Sequence, residues 1–128
     1  SLRDLTDAPL LPDTFARWRA LLSDAARRPN ILMKLGGLGA RRCGFAFEKR
    51  PTPPTAEELA RDWRPYIETC IELFGPGRCM FESNFPPDKV AGSYRTVWNA
   101  FKLIAAGCSA AEKADLFSAT ARRAYGME

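Results

Sequence analysis

The sequence predicts an α/β fold built on parallel strands, and predicts that this fold is only part of a larger one. Three observations carry this. Apolar residues recur at helical spacing in four stretches, and two short runs that are almost wholly apolar lie between them. The resulting order is α, β, long loop, α, β, α, α, the alternation that gives parallel sheets with right-handed crossovers. Strands apolar on both faces belong to sheets covered on each side, yet two parallel strands alone leave open edges and little core. A complete (β/α) barrel needs about 250 residues and eight strands. With 128 residues, the chain reads as the last quarter to half of something larger.

Each element has its own signal. From Asp13 to Arg28, Phe15, Trp18, Leu22, Ala25 and Ala26 mark a helix that Pro29-Asn30 ends. Ile31–Leu35 is a buried strand stopped by Gly36-Gly37. The stretch from Gly36 to Pro54 is long for a plain connection, and loops of that length are usually functional or disordered. Thr55 and Glu58 form a capping box that opens a helix with Leu59, Trp63, Tyr66, Ile67, Cys70, Ile71 and Phe74 on its apolar side. Pro65 should kink that helix or split it, and Gly75 should cap it. Arg78–Ser83 is the second strand, ending at Asn84-Phe85-Pro86-Pro87. A helix from Ser93 carries Tyr94, Val97, Trp98, Phe101 and Ile104 to Gly107; Ser109 and Glu112 cap a last one through Leu116, Phe117, Thr120 and Tyr125. The aromatic residues Trp18, Trp63, Phe74, Trp98 and Phe101 are expected on helix faces that pack against the sheet.

Composition excludes several functions. There is no histidine, so this chain holds no His general base, no Ser-His or Cys-His nucleophile pair and no His-based metal site. The net charge is +4, from 19 basic and 15 acidic residues. The basic residues are scattered without interleaved stacking aromatics, and no nucleic-acid partner is expected. No apolar run approaches the roughly 20 residues of a membrane helix, and Ser1-Leu2-Arg3-Asp4 is unlike a signal peptide. Cys43, Cys70, Cys79 and Cys108 include no C-x-x-C pair, so they are expected to be reduced and structural in a cytoplasmic protein.

At the strand ends the chain becomes recognisable. Pro29–Leu38 (PNILMKLGGL) and Arg78–Pro86 (RCMFESNFP) resemble the closing strands of the amidohydrolase-related TIM-barrel hydrolases, and Ala60–Cys70 and Ser93–Lys102 fit the same pattern. The resemblance implies that residues 1–128 form a single partial domain, the C-terminal part of a (β/α)8 TIM barrel with its last two strands and surrounding helices. It implies a hydrolase that cleaves C–O or C–N bonds in a small carboxylated substrate, a lactone, ester or amide, with an activated water. In the family a divalent, zinc-like metal is held mostly by histidines from earlier strands, so none is expected for this chain alone, and the isolated chain should be inactive. The expected partners are a small-molecule substrate and either further copies of the chain or the missing N-terminal part of the barrel. The alternative is a non-catalytic α/β module that binds partners through its exposed strand edges.

The family also places an Asp after a Ser at the end of the last strand, where it helps hold the metal and takes a proton from the attacking water. Here Ser83 is followed by Asn84, whose amide cannot ionise. Asn84 is either a residue that orients substrate or a strand-end cap. Strand side chains alternate, so Met80, Glu82 and Asn84 should share a face, with Lys34 within reach on the neighbouring strand. A Glu82–Lys34 contact follows. Either Glu82 replaces the missing Asp as base and Lys34 binds an anionic substrate, or the two form a structural buried pair. Arg41 and Arg42 on the long loop either recognise a carboxylate bidentately or are solvated. Asp88 is either a catalytic stand-in or an exposed turn residue.

Overall fold

The structure, a computed structural model, describes residues 12–127; the N-terminal Ser1–Asp4 of the signal-peptide argument lies outside them. Helix α1 (Pro12–Ala26) leads to strand β1 (Met33–Leu35), and helix α2 (Ala56–Phe74) to strand β2 (Cys79–Phe81). Helix α3 (Tyr94–Ile104) follows, and the chain closes with α4 (Ala110–Ala114), a π turn (Asp115–Ala119) and α5 (Thr120–Ala124). The predicted order is observed. The strands pair in parallel, Met33 with Cys79, Lys34 with Met80 and Leu35 with Phe81. Both are shorter than their apolar runs. The register places Ile31 opposite Gly77, which lies in the tight turn Pro76–Arg78, so no ladder partner exists there.

Pro65 neither splits nor ends α2, which runs unbroken over 19 residues. Leu59, Trp63, Ile67, Cys70 and Phe74 are all buried, and packing of that length of apolar face outweighs one lost backbone bond. Thr69 donates its hydroxyl to the Pro65 carbonyl at 2.6 Å. The Thr55–Glu58 capping box forms in full, and its bonds, first that with the Thr55 backbone, hold the Glu58 carboxyl below its ordinary range. The core lies where α2 and α3 cover β2. Phe81 stacks on Phe101 with centroids 4.6 Å apart and meets Phe117 at 4.7 Å. All three residues of β2 are buried under the chain's own helices, yet the sheet has two strands, so among the described residues each strand keeps one edge without a strand partner. In β1, Lys34 stays exposed.

Arg78, read from sequence as the first strand residue, instead ties two helix ends together. It donates to the carbonyls of Ala26 (2.8 Å), Arg28 (3.0 Å) and Phe74 (3.0 Å) and lies over the Phe74 ring. The long loop is ordered by two short 3-10 turns, Arg41–Cys43 and Phe47–Lys49. Phe47 is buried beneath it, and Arg50 pairs with Glu58 (2.7 Å) and Asp62 (3.5 Å) of α2. All four cysteines are free, and burial pushes the thiols of Cys70 and Cys79 up to about 11 and about 12. Among the described residues, no helix is long and apolar enough to cross a membrane.

Candidate functional site

The candidate site lies where the chain leaves the two strands. Beyond β1 the sequence Gly36-Gly37-Leu38-Gly39 runs against the exit of β2, and each glycine abuts a different residue there. A Cβ on Gly36 would collide with the backbone and side chain of Glu82. Gly37, at φ +81°, has the Asn84 amide 3.6 Å from where its Cβ would be. On Gly39 a Cβ would stand 3.0 Å from the Asp88 carboxylate. At Gly36 and Gly39 the loop can approach this closely only without side chains, and at Gly37 the constraint is the positive φ.

Lys34 and Glu82 meet: Nζ lies 2.8 Å from Oε2. The register puts Lys34 beside Met80, and strand alternation puts Glu82 on the face that Met80 uses, so the contact follows from pleat geometry. The hydrogen bond to Glu82, then its charge, raises the Lys34 ammonium above its ordinary value. The side chains are 51% and 27% exposed, so in this chain the pair is not the buried one expected.

Asn84 does not continue the strand face. Its φ of +49° lies in the left-handed region, which Asn tolerates better than most residues. The alternation therefore ends before it, and its amide turns to donate to Asp88 Oδ1 at 2.6 Å. Asp88 is not the exposed turn residue expected; it is 1% exposed. Its Oδ2 accepts from the Gly39 amide at 3.1 Å. Burial raises the Asp88 carboxyl above its ordinary range, and the bonds from Asn84 and Gly39 work against that shift. Ser83 serves locally, its hydroxyl accepting from the Phe85 amide at 3.4 Å.

The predicted residues therefore separate. Asn84 and Arg41 line one open recess of about 400 Å3 with Ala40, Pro87 and Val90. Lys34 lines a different groove of about 200 Å3 between β1 and helices α1 and α2, with Trp18, Leu22, Met33, Leu38 and Tyr66 among its walls. Arg41 is exposed; the side chain of Arg42 lies outside the described set. Sequence reasoning missed Gly39 and the burial of Asp88. Their signal was the G-G-x-G spacing beside one strand end and an Asp four residues beyond Asn84.

The donor set does not fit a divalent metal. Among the described residues, no three His, Cys, Asp or Glu are grouped to hold one. The Asp88 carboxylate is satisfied by an amide and a backbone N–H, and Glu82 is paired with an ammonium.

Comparison with known proteins gives this geometry a context. The family model described as Amidohydrolase matches residues 5–127. The chain is 39% identical over 114 residues to the uncharacterized protein y4mH of Sinorhizobium fredii, covering 89% of this chain and 34% of that protein. It is 34% identical over 116 residues to an L-fucono-1,5-lactonase of Burkholderia multivorans, covering 88% of this chain and 36% of the lactonase. A crystal structure of a Burkholderia multivorans amidohydrolase with bound HEPES superposes with a TM-score of 0.82 at 30% identity, over 99% of this chain and 42% of that one. A zinc-bound crystal structure of a Burkholderia multivorans amidohydrolase gives 0.79, also at 30% identity, over 98% and 41%. The chain thus spans about a third of the length of these curated relatives.

Proposed function

This chain belongs to the amidohydrolase family, and from that premise we propose that it is the C-terminal part of a TIM-barrel hydrolase, a single partial domain carrying the last two strands. The whole protein hydrolyses a C–O or C–N bond of a small carboxylated substrate, a lactone before an ester or amide. The observation that carries this reading is the Lys34–Glu82 pair set against the glycine loop at the C-terminal ends of two parallel strands, where barrel enzymes keep their chemistry. The lactonase relative favours the cyclic ester.

In this reading water is the nucleophile. Glu82 takes the proton as the water oxygen bonds to the carbonyl carbon, and the proton then passes to the departing oxygen as the C–O bond breaks. Lys34 pairs with Glu82 and faces developing negative charge. Asn84, being unable to ionise, orients rather than abstracts, and Ser83 shapes the turn that presents it. Arg41, with Arg42 beside it in sequence, supplies positive charge for the substrate carboxylate. The divalent metal bound by the zinc-containing relative has no ligand set here, and its ligands belong to the remainder of the protein. The free cysteines favour a cytoplasmic location. The isolated chain is inactive.

The test is a chimera in which this chain replaces the matching segment of the L-fucono-1,5-lactonase. The expected result is a folded chimera that opens lactones, with turnover lost on Glu82→Gln; a folded, metal-loaded chimera without turnover would overturn the reading. Turnover by the 128-residue chain alone would overturn its proposed inactivity. A second reading, a self-associating module, is favoured by the outer edges of the two-stranded sheet, which have no strand partner among the described residues.

A further inference from the structure

The two loops at the strand ends are joined at one buried carboxylate, and that junction dictates what Asn84 offers a ligand. An ionised carboxylate only accepts hydrogen bonds. With Asp88 Oδ1 2.6 Å from Nδ2, the planar amide must turn its NH2 toward Asp88 and its carbonyl oxygen to the opposite side. Asp88 itself is buried, whereas Asn84 lines the open recess with Ala40, Arg41, Pro87 and Val90. Asp88 is held in turn by the Gly39 amide, on the same loop that carries Ala40 and Arg41. Lys34 is already engaged by Glu82, whereas no carboxylate among the described residues pairs with Arg41. The recess is therefore lined by an arginine with no carboxylate partner among the described residues and by an amide whose NH2 is already committed to Asp88, which leaves its carbonyl oxygen as the acceptor.

We propose that this recess is a subsite for a small hydroxycarboxylate, with the ligand carboxylate on Arg41, the ligand hydroxyl donating to Asn84 Oδ1, and Asp88 as the positioning residue that fixes the amide. The choice of a hydroxycarboxylate rests on the lactone-hydrolase reading, because water adding across a lactone gives a hydroxyl and a carboxylate on one molecule. The same geometry selects against neighbours of that class. A plain carboxylate leaves Asn84 Oδ1 unpaired, a neutral polyol leaves Arg41 unpaired, and the second carboxylate of a diacid meets an acceptor instead of a donor.

The sequence makes the test direct. It contains no glutamine and only three asparagines, Asn30, Asn84 and Asn99, so a 15N spectrum of the chain shows three side-chain amide pairs, and Asn84→Ala identifies the one in question. In the wild-type chain the Asn84 pair is expected to exchange slowly, with one proton shifted downfield by its bond to Asp88. Titration with D-gluconate should move that pair, and hexanoate should bind about tenfold more weakly, the loss of one hydrogen bond. Sorbitol and adipate should leave it in place. Asp88→Asn should abolish the downfield proton and weaken gluconate about tenfold in a chain whose circular dichroism is unchanged. Should that variant fail to fold, Arg41→Gln, at an exposed position, must lose gluconate binding while the downfield proton stays. The proposal is overturned if the folded wild-type chain shows a fast-exchanging Asn84 pair at ordinary shifts, or if gluconate moves it no more than sorbitol does. Gluconate binding with an inert lactonase chimera would sink the hydrolase reading and leave the subsite; an active chimera without gluconate binding would do the reverse.

Discussion

Gly36 shows how little freedom the strand exits have. Its Cβ would overlap the Glu82 carbonyl, which is backbone and cannot swing away. Gly36→Ala should therefore cost about 1–3 kcal/mol, the range for overpacking, and should move Glu82 out of reach of Lys34; the urea midpoint and the ammonium resonance of Lys34 report the two effects. Asp88 yields a prediction with a sign. Its carboxyl is raised above 3.8, chiefly by burial, with Glu82 adding to the shift and the amides of Asn84, Gly39 and Gly37 opposing it. The folded chain thus holds this proton more tightly than the unfolded chain does. The associated stability is fully present below the ordinary carboxyl value and is lost as pH rises through the folded one. Asp88→Asn should remove that slope from a series of urea midpoints taken across acidic pH; an unchanged slope would show that another group sets it. The Lys34–Glu82 contact was legible in the sequence because alternation and register are local and regular. Asp88 was not, because its burial depends on a loop 49 residues away folding over it.

At the scale of elements, the helices were legible where caps and apolar spacing agree, as at Thr55–Glu58 and Ser109–Glu112. They were misread where one local rule was set against a long packed face. Pro65 sits exposed on α2 with buried neighbours on the opposite side, and the helix continues through it. It still lacks one N–H. Pro65→Ala should raise stability by about 1–3 kcal/mol, seen as a higher denaturant midpoint with an unchanged m-value; no change would mean that the proline ring contributes packing of equal size. The last helix holds a different lesson. Its π turn inserts a residue, so that Leu116, Phe117 and Thr120 all face the sheet region, with Leu116 and Thr120 fully buried. A strict 3.6-residue period does not anticipate that shift in phase, which is why the covering of β2 by this helix was not read from spacing.

At the scale of the whole molecule, the two strands stand differently toward solvent. The chain's own helices bury all three residues of β2, while in β1 only Leu35 is buried. Each strand has one edge unpaired among the described residues, and β1 borders a groove walled by Trp18, Leu22, Met33, Leu38 and Tyr66. An apolar groove beside a row of unpaired backbone groups is a template for another strand. The curated relatives are matched over only 34–36% of their length, so they carry further chain of their own. For this chain alone, the same edge should drive association with a second copy. Leu32 leads directly into β1 and is 42% exposed, so it samples that edge without holding the core. Sedimentation should show a mass that rises with concentration, and Leu32→Lys should return it to the monomer value by adding a charge that any incoming strand must desolvate. A wild-type chain that stays monomeric at every concentration would mean that the β1 edge is already closed, and the case for missing neighbours would then rest on the length of the relatives alone.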